Sequence, residues 1–363
     1  MSEVQECGQQ NLAQVEALMT PTRLGALELA NRIVMAPMTR NRAAADGVPT
    51  QMMADHYAAR AEAGLIVAEG TWPCAEGQAY CRQPGIATAE QVAGWRRVTD
   101  AVHRRGGRIV LQIMHAGRIG SRHVKGPGVA TLGPSDEVAR GEVYTDDSGM
   151  QPFDTPRAMT TAEVVEAVAV HGRAAQLARE AGFDGVELHG TSGYLPMQFL
   201  CARTNRRDDA YGGSIENRVR FVVECLEAMS SEIGADRVGL RLNPGNTYND
   251  VSDGESVETH RELLRRLAPL GLAYLHMMRS PLEDLDAFAL ARESFEGPLV
   301  LNNGFSPESA AEAVSSGEGA AVSFARHFIA NPDLVDKVRR GEAPRGFDRK
   351  TLYTPGPEGY VVA

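Results

Sequence analysis

Short apolar runs alternate with longer stretches of helical period along most of this chain. Runs of strand length occur at Arg32–Met38, Leu65–Glu69, Arg108–Met114, Gly185–Leu188, Val238–Leu242, Ala273–Met277, Leu299–Leu301 and Ala321–Phe324. Turn-forming residues bound them, which suits strands buried on both faces. Apolar positions three and four apart predict helices over Thr88–Arg105, Ala162–Ala181, Ile215–Ile233, Val257–Leu267, Pro307–Ser315 and Pro332–Arg339. Thr160 and Thr161 ahead of Glu163, Ser214 ahead of Glu216, and Ser306 ahead of Pro307 and Glu308 mark helix starts. Strands that alternate with helices require a parallel sheet, and eight of them predict an α/β fold closed into a single (β/α)8 TIM barrel. An open doubly wound sheet is the alternative, but no G-x-G-x-x-G follows the first strand to support it.

The pattern lapses between Arg118 and Thr160, where Gly, Pro, Ser, Asp and Thr dominate. An irregular stretch this long in a compact domain is a lid or a loop with its own hairpin. Because it follows the third strand, we expect a lid insertion over residues 118–160 at the barrel mouth. Residues 1–18 read as a flexible N-terminal segment, and 19–363 as one barrel domain.

Composition narrows the function classes. With 363 residues, 43% of them hydrophobic, the chain can bury a large core. A net charge of -10 and a pI near 5.5 argue against a nucleic-acid surface, and the basic cluster Arg203, Arg206 and Arg207 is interrupted by Asp208 and Asp209. Cys7, Cys74, Cys81, Cys201 and Cys225 are odd in number and lack C-x-x-C spacing, so neither a disulfide framework nor a metal site is expected. A reducing cytoplasmic setting, no membrane span and a monomer or homodimer follow as expectations.

The candidate chemistry collects at predicted strand ends, where such barrels build their active sites. The run Gly185–Leu188 delivers His189, Ser192 and Tyr194 to its C-terminal mouth, and Gly190 and Gly193 let the backbone leave sharply. An imidazole can donate a hydrogen bond to a developing oxyanion, and a phenol can hand over a proton. Any one of these residues alone is more simply a satisfied core side chain; three within six residues shift the balance. Arg241 stands among apolar neighbours in VGLRLNP and needs an anionic partner, for which Glu187 on the adjacent strand is a candidate. Gln112 and Met114, two apart, share a face of the third strand. The last two strands end in Asn303, Gly304, Phe305 and in Ala325, Arg326, where phosphate groups settle in such barrels. An everyday turn into a capped helix is the plain alternative for the first of these.

Residues 185–221 carry a longer pattern. His189–Leu200 fits H-x-(A/T)-x-G-Y-L-x-x-Q-F-L, and Asn205–Phe221 fits N-x-R-x-D-x-Y-G-G-S-x-E-N-R-x-R-F. The stretch resembles the old yellow enzyme family of flavin-dependent ene-reductases, and the resemblance extends from Leu24 to Tyr360. It implies FMN as cofactor and NADPH or NADH as hydride source for reducing the activated C=C bond of a small-molecule alkene. In that reading His189 with Ser192 polarises the substrate carbonyl and Tyr194 protonates the α-carbon. Pro37, Met38, Thr39, Ala68, Gln112, Arg241, Asn303, Gly304, Phe305, Ala325 and Arg326 would contact FMN. Tyr80, Met114 and Tyr353 would line the substrate side. Relatives usually carry Asn or His where Ser192 stands, and glycine where Ala325 stands, so a looser carbonyl clamp and a specialised substrate are expected. A desaturase or isomerase working on a biosynthetic intermediate, and a flavin carrier without turnover, stay open as alternatives. A flavin-free aldolase would want a lysine at a strand end, and none is found there.

Overall fold

The computed structural model describes residues 15–361. Eight strands form a closed parallel barrel: β1 Ile33–Met35, β2 Leu65–Thr71, β3 Ile109–Ile113, β4 Gly185–His189, β5 Val238–Leu242, β6 Tyr274–Met278, β7 Leu299–Asn302 and β8 Ala321–Phe324. β8 pairs with β1 to close the ring. Nearly every strand residue is buried, the composition the apolar runs foretold. The surrounding helices are α1 Gln51–Ala58, α2 Ala89–His103, α3 Thr161–Glu180, α4 Arg220–Ile233, α5 Ser256–Leu267, α6 Ala287–Ser294, α7 Pro307–Ser315 and α8 Leu334–Arg340.

Helix starts follow the expected chemistry with small shifts. Thr160 and Glu163 form a reciprocal cap on α3. Ser306 instead caps α7 through Ser309, and Ser214 accepts from the Asn217 backbone. The helix expected over Ile215–Ile233 is split at Val219 into Ile215–Arg218 and α4. α1 and α6 were not foreseen. Residues 15–19, all but the last within the segment expected to be flexible, are helical, with Val15 and Leu18 buried; residues 1–14 lie outside the described range.

The barrel interior is apolar below and polar above. Below, a hairpin of Thr22–Leu24 and Leu27–Leu29 packs Leu24, Leu27 and Leu29 against Val34, Val67, Val110 and Val300 and plugs the floor. The larger core lies between strands and helices and includes Ala68. Residues 118–160 hold a short helix Arg122–Lys125, a parallel pair Leu132–Gly133 with Arg157–Ala158, and a hairpin Glu142–Thr145 with Gly149–Pro152. Arg82 pairs with Asp146 of the hairpin, and Arg140 reaches Asp250 after β5 at 2.6 Å.

Candidate active site

A cavity of about 920 Å³ opens at the C-terminal end of the barrel. Pro37, Met38 and Thr39 from the end of β1, Tyr80, Tyr194, Ala325 and Arg326 line it. The hairpin closes one side with Glu142, Val143, Tyr144 and Met150, and the C-terminal segment closes another with Leu352 and Tyr353.

Beneath the mouth, β3, β4, β6 and β8 contribute polar side chains to a buried layer. Gln112 Nε2 donates to Glu187 Oε1 at 2.8 Å, and Tyr274 donates to Glu187 Oε2 at 3.1 Å. His276 Nδ1 lies 2.8 Å from the same carboxylate, with its Nε2 2.7 Å from Ser323 Oγ. Burial pushes the Glu187 carboxyl up, yet His276, Arg241 and Gln112 outweigh it and hold it below the usual range. Burial and Arg241 keep His276 neutral. Its Nδ1–H therefore donates to the carboxylate, leaving Nε2 free to accept.

The expected contact between Arg241 and Glu187 is not direct. Arg241 donates to Asn302 Oδ1 at 2.8 Å and approaches His276 Nε2 at 3.2 Å, so the imidazole stands between the two charges. The reason is register: β5 sets Arg241 beside His276 and His189, while Glu187 pairs one step lower with Gly239.

His189 ends β4. Burial, followed by the nearby Arg241 charge, pulls it down to about 3, so the imidazole is neutral. Its Nδ1 is buried without a hydrogen-bond partner, an unmet polar atom at the barrel mouth. The ring centroid of Tyr194 lies 5.0 Å away, and the Tyr194 hydroxyl lies 2.7 Å from that of Tyr80. Burial drives the Tyr194 phenol well above 10, so it is protonated at any working pH. Ser192 sits in the left-handed region at φ 59°, and its carbonyl accepts from Asn249 Nδ2 at 2.8 Å.

The remaining sequence-derived residues divide. Pro37, Met38, Thr39, Tyr80, Tyr194, Tyr353, Ala325 and Arg326 share the cavity wall, whereas Gln112, Arg241 and His189 are buried and are not among its lining residues. Met114, 1% exposed, packs with Tyr194, Ala79 and Val143 behind the wall. Ala68 packs its side chain outward, leaving only backbone for the mouth. Phe305 stacks on Phe288 of α6 at 5.9 Å rather than turning to the cavity. Asn303 and Gly304 take consecutive positive φ values of 78° and 81°, a backbone curl that gathers N–H groups ahead of α7. A Cβ built on Gly304 meets nothing nearer than Arg279 at 3.5 Å, so that turn stands open.

These features fit FMN. The curl and Arg326, whose guanidinium bonds no other described residue, suit a phosphate; the Gln112 and Arg241 layer suits the polar edge of a flavin ring. Sequence reasoning passed over His276, Tyr248 and Asn249. A lone polar residue in the apolar run Ala273–Met277, at the depth where β3, β4 and β5 also place one, was a readable signal for the first.

A closed eight-stranded barrel with a phosphate-type turn, a buried arginine and a neutral imidazole beside a protonated phenol defines a flavin-dependent oxidoreductase. The sequence signature of the NADH:flavin oxidoreductase / NADH oxidase family matches residues 17–344. A probable flavin mononucleotide-dependent alkene reductase of Leishmania infantum is 41% identical over 354 residues, covering 95% of this chain and 96% of the relative. The rice 12-oxophytodienoate reductase 1 (Oryza sativa subsp. japonica) is 38% identical, covering 94% and 90%. Among solved structures, the old yellow enzyme homologue from Zymomonas mobilis superposes with a TM-score of 0.91 at 37% identity, covering 95% and 98% of the two chains. Morphinone reductase gives 0.90 at 39% identity, covering 95% of each. The chain belongs to the old yellow enzyme family.

Proposed function

We propose that His189 and Ser192 hold the carbonyl oxygen of an α,β-unsaturated substrate and that Tyr194 delivers the proton to its α-carbon. The reaction is FMN-dependent reduction of an activated C=C bond with NAD(P)H as reductant. When bound, FMN supplies the hydride after taking one from the nicotinamide. One observation carries the assignment of roles: a neutral imidazole with an orphaned Nδ1 lies beside a protonated phenol at the barrel mouth. A neutral imidazole keeps its N–H directed at an oxyanion without becoming a competing acid, while the phenol holds a proton it can transfer.

Binding falls to the rest of the set. Arg241 and Gln112 meet the flavin ring, with Pro37, Met38, Thr39 and the Ala68 backbone along its edge. Asn303, Gly304, the Phe305 backbone, Ala325 and Arg326 hold its phosphate. Tyr80 and Tyr353 bound the alkene, with Met114 shaping the wall from behind. The exposed rim cations Arg349 and Lys350 favour NADPH over NADH through its extra phosphate. The free thiols of Cys74, Cys81, Cys201 and Cys225 suit a reducing cytoplasm, where the chain would act as a monomer or homodimer. Among the described residues no helix is long and apolar enough to cross a membrane.

Anaerobic titration tests this. Reduced nicotinamide should bleach the yellow protein, with NADPH effective at lower concentration, and 2-cyclohexenone should restore the colour. In D2O the wild type should place solvent deuterium at the α-carbon with one facial sense, and Tyr194→Phe should lose that sense. Undiminished, face-selective labelling in the variant would remove Tyr194 from the role.

A further inference from the structure

Two loops meet at the proton donor. Tyr194 follows β4 and Tyr80 follows β2, 114 residues apart in sequence, yet their hydroxyl oxygens are 2.7 Å apart. A phenol has one proton. If Tyr194 directs its proton at a substrate carbon, its oxygen can only accept in this bond, and Tyr80 must be the donor.

Once Tyr194 has given up its proton, its oxygen carries a charge that its surroundings oppose. The side chain is 6% exposed and packs among Met114, Ala79, Ile119 and Val143. Tyr80 is half-buried on the cavity wall, and Tyr248, 60% exposed, stands beside it. Burial opposes ionisation at all three phenols, and exposure to water rises from Tyr194 through Tyr80 to Tyr248. The negative charge thus has a route of falling burial toward water, and a proton has the same route inward.

We propose that Tyr80 is a relay and positioning residue: as the Tyr194 O–H bond breaks toward the substrate α-carbon, the Tyr80 hydroxyl proton passes to the Tyr194 oxygen, and solvent near Tyr248 refills Tyr80. The balance is one C–H bond formed at the α-carbon and two phenol O–H bonds broken and re-formed. The net proton comes from water. The inference rests on the reading of Tyr194 as proton donor and adds to it the way that donor is reloaded.

The test uses FMN-loaded enzyme reduced anaerobically with dithionite and mixed with 2-cyclohexenone in H2O–D2O mixtures. In the wild type the reoxidation rate should show a curved proton inventory, because two protons move together. Tyr80→Phe keeps the ring and removes the relay. Its loss in reoxidation should exceed its loss in NADPH-driven reduction by about tenfold or more, with the inventory becoming linear. Tyr248→Phe should show the same pattern at about twofold to fivefold. An unchanged inventory, or equal slowing of both half-reactions, would overturn the relay. A wild type that bleaches with NADPH but is not reoxidised by the enone would instead count against the ene-reductase reading. A readout independent of turnover then decides the relay: the downfield hydroxyl proton of the Tyr80–Tyr194 bond should appear by NMR in the wild type and vanish in Tyr80→Phe. Its absence from the wild type would overturn the proposal.

Discussion

Ser192 occupies a position whose backbone and side chain make different demands. A φ of 59° is a conformation in which asparagine is several-fold enriched and serine is not. The Asn249 carboxamide already holds the Ser192 carbonyl, which fixes the turn from outside. Ser192→Asn should therefore fold at least as well as the wild type and add a stronger carbonyl donor. Since removing one oxyanion donor costs about 10²–10³ in rate, restoring a fuller one should raise kcat for 2-cyclohexenone by about tenfold, read by steady-state kinetics. An indifferent rate would mean that the serine hydroxyl never faced the carbonyl. Arg241 poses the opposite problem, because it is legible as a buried charge while the geometry around it is not. The sequence places Glu187 on the neighbouring strand but does not reveal that His276 separates the two. Arg241→Leu removes the donor to Asn302 and the positive charge near Glu187, whose carboxylate keeps its Gln112, Tyr274 and His276 partners. Losing a hydrogen bond to a charged group costs about 1.5–3 kcal/mol. Denaturant melts should show a loss of that order, and ultrafiltration should show FMN washing out.

At the scale of elements, strands were easier to read than helices. An apolar run closed by Gly, Asn or Pro has few other fates in a chain of this size, and all eight runs became barrel strands. α1 escaped because five of its eight residues are buried, so no polar face marks the period, and α6 is as short. The split at Val219 has a tertiary cause. Arg218 turns inward to the Leu200 and Gly213 carbonyls and to Glu255, which a helix running straight on into α4 would not permit. The turn after β5 was equally silent. Asn249 and Asp250 both take left-handed φ near 60°, and Arg118, Arg140 and Arg203 converge on them. Strained backbone persists where surrounding contacts over-determine it. Arg140 comes from the 118–160 insertion, so the turn ties that element to the loop carrying Tyr248. Asp250→Ala should cost about 1–3 kcal/mol through its unpaired arginines. It should also loosen the hairpin, seen as faster limited proteolysis within 142–152 and a higher KM with little change in kcat.

Over the whole molecule, the C-terminal segment returns across the chain to complete the cavity, and two arginines hold it there. Arg42 donates to the carbonyls of Thr351, Leu352, Gly356 and Glu358, and Arg40 to those of Leu352 and Gly359. Tyr360 closes the clamp, stacked on His56 at 3.9 Å. Arg42→Ala should lower stability by about 3 kcal/mol, the worth of a few charge-assisted hydrogen bonds less relaxation, and raise KM by loosening the wall that carries Tyr353. The same burial sets the acid limit of the fold. His56, His115, His171, His189, His260 and His276 are all buried, and burial lowers each below its ordinary value, to about 4 for His171 and His260 and about 3 for His189. A base held below its unfolded value binds fewer protons when folded. Its stability contribution is therefore complete above about pH 6.5 and is lost as pH falls toward the folded value. Each such histidine adds up to about 1.4 kcal/mol per pH unit within that window. Glu62, Glu69 and Asp253, which burial raises, act in the opposite sense but are three groups against six. Salt-bridged carboxylates such as Glu163 and Glu262, both held near 2, add their losses only below about pH 4. Net stabilities are about 5–15 kcal/mol, so cooperative unfolding is expected between about pH 6 and 4.5, followed by circular dichroism. His171→Phe, which removes one buried base far from the cavity while keeping a ring in its place, should move that midpoint to lower pH. A midpoint near pH 3 that does not respond to this substitution would assign the acid limit to the carboxylates instead.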